Sequence, residues 1–358
     1  MAQTVKLRGR RRVQLPVLDA FLWGLRVGAV VLIVVGSYNS LTSGRLTPES
    51  WQDLVVFGLS QGAVYALIAL GYTMVYGVLR FINFAHGEVF MAGAMIGFFV
   101  ADGLARTGLW QSPIVVLPVV LIASMATSAL VALGLERVAY RPLRGAPRLI
   151  PFITAIGASF FLQYAFAGLF GTDVKAWPPV SALQGAVIFL GVRILKVHSV
   201  VMIAAIVMMV GLYLFLGRTR TGKAMRAVSE DQETAQLMGI DVDRTIALVF
   251  AVGGALAGAG GFLWGLVFGE VFFFTGFFPG IKAFTAAVLG GIGNPVGAML
   301  GGLTLGVVES VGPLLVLSGL GVPAAFQLKD LVAYMVLILV LIFRPTGLLG
   351  ERLAQERA

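Results

Sequence analysis

Hydrophobic residues fall along this chain in ten runs, near 19–36, 53–79, 88–101, 113–134, 149–170, 198–217, 246–268, 277–292, 296–317 and 324–343. Most reach the ~20 residues that a membrane-crossing helix needs. The runs at 88–101 and 277–292 fall short, and each reads as a half-helix or a broken helix. Counting both as crossings gives about ten spans. The expected fold is an all-α polytopic membrane protein of about 8–10 transmembrane helices. Its short or broken helices are expected near 80–101 and 277–295.

The polar intervals divide the chain further. Residues 1–18 read as a basic cytoplasmic tail, 19–343 as the transmembrane domain and 344–358 as a second cytoplasmic tail. A signal peptide is a poor reading of the start, because Arg26 interrupts the first apolar run. The stretch 217–245 stands out for its length and charge, and reads as a cytoplasmic handle.

Composition agrees with this pattern. Of 358 residues, 58% are hydrophobic and 12% charged, against roughly 25% charged in soluble domains. The net charge of +9 is carried in the links between runs, so it bears on orientation rather than on nucleic acid. With ten crossings, the basic link 136–148, both tails and 217–245 all face one side, which is then the cytoplasm. Cysteine is absent and there are two histidines, His86 and His198. Disulfides are excluded, and a metal centre is not expected.

Two short motifs mislead. Gly217 to Ala224 nearly spells a phosphate-binding loop, but Ala224 stands where Ser or Thr should hold magnesium, and an apolar helix precedes it. Gly58-Leu59-Ser60-Gln61-Gly62 matches a hydrolase elbow, yet it lies at the start of a membrane helix. Close helix packing explains it better, and Gly93/Gly97, Gly254/Gly258 and Gly297/Gly301 repeat the spacing.

Ionisable groups inside the hydrocarbon raise a functional hypothesis by default. Arg80 to Glu88 is the richest cluster. Asn83, His86 and Glu88 either line a pathway from an unwound segment, or belong to a short cytoplasmic turn in which Glu88 stabilises a helix start. Gln61, Tyr65 and Tyr72 stud one face of the preceding helix, as a polar lining or as interhelical glue. The aromatic run 272–278 reads as an interface belt or as a gate, and Trp177 as an interface anchor. Thr285, and Asn294 in the break after 290, complete the candidate pathway residues. Glu309 is expected to have a polar partner inside the bundle.

Several phrases together resemble the permease subunit of branched-chain amino acid ABC importers, the LivH type. They are Tyr65–Gly77 followed by Ile82–Glu88, Ala227–Asp231 with Leu237–Ile240, Lys282–Gly293, and Arg344–Gly350. The resemblance covers about 53–350. It implies that Glu233, Ala235 and Gly239 are the matching positions of the importer EAA motif, with Thr234 departing from it. It also implies that Arg226, Glu230, Glu233, Ala235, Leu237 and Gly239 belong to a coupling helix docked on an ATPase. The implied partners are a second permease (LivM type), two cytoplasmic ATP-binding subunits, a periplasmic solute-binding protein and membrane lipid. The implied location is a bacterial inner membrane, and no cofactor is bound by this chain. Urea or short amides are the alternative substrates. An ion-coupled secondary transporter or channel is the rival class, favoured by Glu88, Glu270 and Glu309.

Overall fold

The computed structural model describes residues 16–350 apart from 108, 109, 111, 148, 190 and 345. Most of the two expected tails therefore lie outside the described residues. The chain folds into α1 (Pro16–Thr42), α2 (Pro48–Leu79), α3 (His86–Arg106), α4 (Pro113–Leu135), α5 (Leu149–Phe170) and α6 (Lys196–Arg218). Two short helices follow, α7 (Arg220–Glu230) and α8 (Gln232–Leu237). Then come α9 (Val242–Phe268), α10 (Phe277–Gly290), α11 (Pro295–Gly312) and α12 (Lys329–Phe343).

Among the described residues, nine helices are long and apolar enough to cross a membrane. The exception among the apolar helices is α10, whose 14 residues give a length of about 21 Å at 1.5 Å per residue. That is less than the ~30 Å hydrocarbon core.

The helix boundaries have local causes. Thr47 caps α2, accepting from the Ser50 amide, and Pro48 occupies the first turn, where its missing N–H costs nothing. Asp241 caps α9 through the Arg244 amide. Asn294 caps α11 through the amides of Val296 and Gly297.

The core is built on α2, which packs against α9, α10 and α11. The small-residue spacings mark where backbones meet. Gly58 and Gly62 of α2 lie against Val307, Gly302 and Leu303 of α11. Gly93 and Gly97 of α3 face Ser128 and Ser124 of α4, while Gly258 of α9 faces the Ser124 carbonyl. Ser128 Oγ donates to the Val89 carbonyl at 2.7 Å. Without side chains in the way, such helices approach closely enough for dispersion and polar contacts to hold them.

The two ends of the bundle differ. One carries α7 and α8. The other carries two small antiparallel pairings, β1 (Lys175–Ala176) with β4 (Glu270–Val271) and β2 (Ala186–Phe189) with β3 (Val192–Leu195). Trp177 does not anchor an interface. It is 6% exposed and its ring fills the space beside Gly265 and Gly97.

Several expectations change. The run at 88–101 is part of an unbroken helix of 21 residues, and the break is confined to 80–85. The sequence obscured this because Ala101 to Arg106 is a polar, small-residue ending. The aromatic run is divided between surface and interior, with Phe278 53% exposed and the other rings half-buried. Phe274 stacks on Phe277 at 4.9 Å, and Phe277 borders a partly open cavity. Residues 217–224 pass from the last turn of α6 into α7, so a helix precedes the phosphate-loop lookalike, as expected. His198 does find a partner, its Nδ1 lying 3.1 Å from Ser60 Oγ, and this joins α6 to α2.

Candidate functional site

The polar cluster at 80–88 turns inward. Arg80 ends α2 in the left-handed conformation at φ 57, and the chain climbs back along the bundle before α3 begins. Asn83 organises this return. Its Oδ1 accepts from the Tyr140 hydroxyl at 2.5 Å and from the Ala85 amide at 3.1 Å. The His86 ring packs edge-on to Tyr72, with centroids 4.8 Å apart, and lies over Gly71. Asn83, His86 and Glu88 are 2%, 2% and 1% exposed, so the surface-turn reading does not hold.

Glu88 sits deep. Its Oε1 accepts from Gln163 Nε2 at 2.7 Å and lies 3.3 Å from Ser159 Oγ. Both partners lie in the central turns of α5, whose 22 residues are about the length of one membrane crossing. The carboxylate is therefore near the middle of the bundle. It borders a cavity of about 250 Å³, walled by Tyr72, Phe84, Phe152, Phe160, Phe277 and Ile281. Gly87, Gly276 and Gly280 form its floor, where α3 and the start of α10 come so close that a Cβ on Gly276 would strike the Gly87 carbonyl.

The other candidate pathway residues lie elsewhere. Gln61 donates to the Tyr65 hydroxyl at 2.5 Å. Tyr65 faces Lys282, whose ammonium lies 2.6 Å from Glu309 Oε1 and 2.7 Å from Asp330 Oδ1. This network ties α2, α10, α11 and α12 together and gives Glu309 its partner. Thr285 is buried within α10. Asn294 is a helix cap, and its Nδ2 also donates to the Leu349 carbonyl. Glu270 is exposed in β4 and so is not an intramembrane acid. Sequence reading passed over Tyr140, Ser159, Gln163 and Lys282. Gln163 and Lys282 were visible as lone polar residues within apolar runs, whereas the two hydroxyl groups gave no signal.

A second candidate surface lies on α7 and α8. The buried face of α7 is Gly222, Met225 and Val228, leaving Arg226 and Glu230 exposed. Asp231 breaks the helix in an extended conformation and caps α8 through the Thr234 amide at 3.0 Å. Its carboxyl is held below the usual carboxylate range, first by that amide and then by the Thr234 hydroxyl. The end of α8 is a Schellman motif. The Gly239 amide donates to Gln236 and the Ile240 amide to Ala235, with Gly239 at φ 82, a conformation glycine adopts without cost. Ala235 is buried beneath the turn, whereas Glu233 is exposed and Leu237 and Met238 are 87% and 79% exposed. Two adjacent, nearly bare apolar side chains on a rigid, capped arm are suited to contact with another protein.

Comparison with known proteins adds the family. The family model for the permease component of the branched-chain amino acid transport system matches residues 54–341. The high-affinity branched-chain amino acid transport system permease protein BraD of Pseudomonas aeruginosa is 47% identical, covering 85% of this chain and 98% of that protein. The LivH permeases of Salmonella typhimurium and Escherichia coli K12 are 42% and 40% identical, each covering 82% of this chain and 94% of the relative.

Proposed function

The chain belongs to the branched-chain amino acid transport permease family, and from that membership we propose that it is the membrane-spanning subunit of an ATP-driven importer of branched-chain amino acids. It works beside a second permease of the LivM type, with two ATP-binding subunits and a periplasmic solute-binding protein. Nucleotide hydrolysis belongs to the ATP-binding subunits. The α7–α8 end faces the cytoplasm of a bacterial inner membrane, and both termini lie on that side. The basic residues Arg137, Arg141, Arg144, Arg218, Arg220, Lys223 and Arg226 cluster toward this end, as the positive-inside rule requires.

The observation that carries the reading is continuity between the arm and the buried carboxylate. The arm presents Leu237 and Met238 outward and is bonded inward to the end of α2, which leads through 80–85 to Glu88. An ATPase that moves the arm as a rigid body would move the segment bordering the cavity. The apolar and aromatic cavity wall suits a branched aliphatic side chain, whereas urea would require more hydrogen-bonding groups.

The test is reconstitution of all subunits in vesicles. Leucine should accumulate only when ATP, the ATP-binding subunits and the binding protein are present. Uptake driven by an ion gradient without nucleotide would reject the proposal.

A further inference from the structure

Glu88 uses only part of its hydrogen-bonding capacity. Gln163 and Ser159 hold Oε1, while Oε2 is buried and has no partner among the described residues. An open acceptor away from water is costly to keep, and a carboxylate more so. No lysine, arginine or histidine is among the described residues lining the cavity. The described lining therefore offers this oxygen no countercharge of its own.

The surroundings define what that partner is. A hard metal ion would need several more oxygen ligands, and the described residues hold no group of three acidic, cysteine or histidine side chains that could bind one. The aromatic walls instead suit an organic cation, because ring faces attract ammonium groups and also accept aliphatic surface. The cavity's volume of about 250 Å³ equals that of about eight liquid waters at ~30 Å³ each, room for a small solute.

We propose that Glu88 Oε2 receives the ammonium group of the transported amino acid while its branched side chain lies against Phe84, Phe152, Phe160 and Phe277. This rests on the reading of the chain as an amino acid permease. Gln163 and Ser159 are then positioning residues, which hold Oε1 and leave Oε2, beside Gly276, for the solute. The site discriminates by charge and shape at the middle of the bundle, independently of any selection made by the soluble binding protein.

The experiment uses the purified permease complex without its binding protein and three probes of one shape. They are 3-methylbutylamine, 4-methylpentanoate and 3-methylbutan-1-ol, with binding followed by calorimetry. The amine should bind at least about tenfold more tightly than the acid or the alcohol, as expected for a charge-assisted bond. Glu88→Gln should erase that preference while the complex remains monodisperse. Equal binding of the three probes, or an amine preference that survives in Glu88→Gln, overturns the proposal. If the variant fails to assemble, the wild-type series alone decides. Leucine uptake by the wild-type importer is measured in parallel. Its absence, with the amine preference intact, would count against the permease reading, whereas its presence without any amine preference counts against Glu88.

Discussion

The Arg80 guanidinium donates to the main-chain carbonyl of Ser229 at 2.6 Å, joining the end of α2 to the last turn of α7. Gln232 answers in the opposite sense, its Nε2 donating to the Val78 carbonyl at 2.6 Å. Each side chain thus satisfies a carbonyl near the other element's C-terminal end, where helices leave acceptors unpaired. Displacement of the arm therefore pulls on the residue from which 80–85 departs.

Replacing both Arg80 and Gln232 with alanine should separate ATP hydrolysis from transport. Each lost bond costs only about 1 kcal/mol, too little to unfold the bundle. Leucine moved per ATP hydrolysed should fall several-fold in vesicles. An unchanged ratio in the double variant would argue that the arm acts through another route.

The exposed pair on α8 makes a different prediction. Leu237→Asp and Met238→Asp remove apolar surface that is almost bare among the described residues. Thermal stability of the isolated permease should change by less than about 0.5 kcal/mol, as for other surface substitutions, while co-purification of the ATP-binding subunit is lost. Gly239→Asp should likewise abolish uptake and leave the protein inserted. Retained co-purification and transport in these variants would dissociate the arm from ATPase docking.

The Lys282–Glu309 pair is buried, with Lys282 5% and Glu309 0% exposed. Removing Lys282 strands the Glu309 charge, at a cost of roughly 3–5 kcal/mol, whereas removing Glu309 leaves Lys282 paired with Asp330. Lys282→Ala should lower the yield of folded protein sharply, and Glu309→Ala less so. Lys282→Met combined with Glu309→Leu should recover much of it, as read by size-exclusion profiles and melting temperature. Failure of the double variant alone would point to a role for the charges beyond holding the helices together.

The cap on α8 gives a pH dependence. The Asp231 carboxyl is lowered by the Thr234 amide and hydroxyl. The folded arm therefore releases this proton more readily than the unfolded one. The cap's contribution is fully present above the ordinary carboxylate value of about 3.9 and is lost as pH falls through the lower folded value. Amide exchange at Thr234, corrected for intrinsic rates, should stay protected at pH 5 and open only in stronger acid. Asp231→Asn should make that protection independent of pH.

Much of this architecture was legible because apolar runs report spans directly. The glycine spacings also read correctly as packing surfaces, since only small residues let helices close on one another. The break at 80–85 was visible as a polar interruption, but its direction was not. Whether Asn83 faced water or Tyr140 depended on a residue 57 positions away. The cavity was hidden for the same reason, since Glu88 meets Gln163 across 75 positions. Asn294 and Trp177 misled because each residue type has two common uses. Asparagine lines pathways and caps helices, and tryptophan marks interfaces and fills gaps beside glycine.

Where Gly93 of α3, Ser124 and Ser128 of α4 and Gly258 of α9 meet, the touching surfaces are backbone and hydroxyl. Those contacts have few rotamers through which to yield, which favours movement of the three helices together. By contrast, α5 leans mainly on α3 and the residues that follow α4. The molecule thus pairs an unyielding jaw with a loosely held one, and Glu88 hangs from the first while Gln163 and Ser159 reach it from the second.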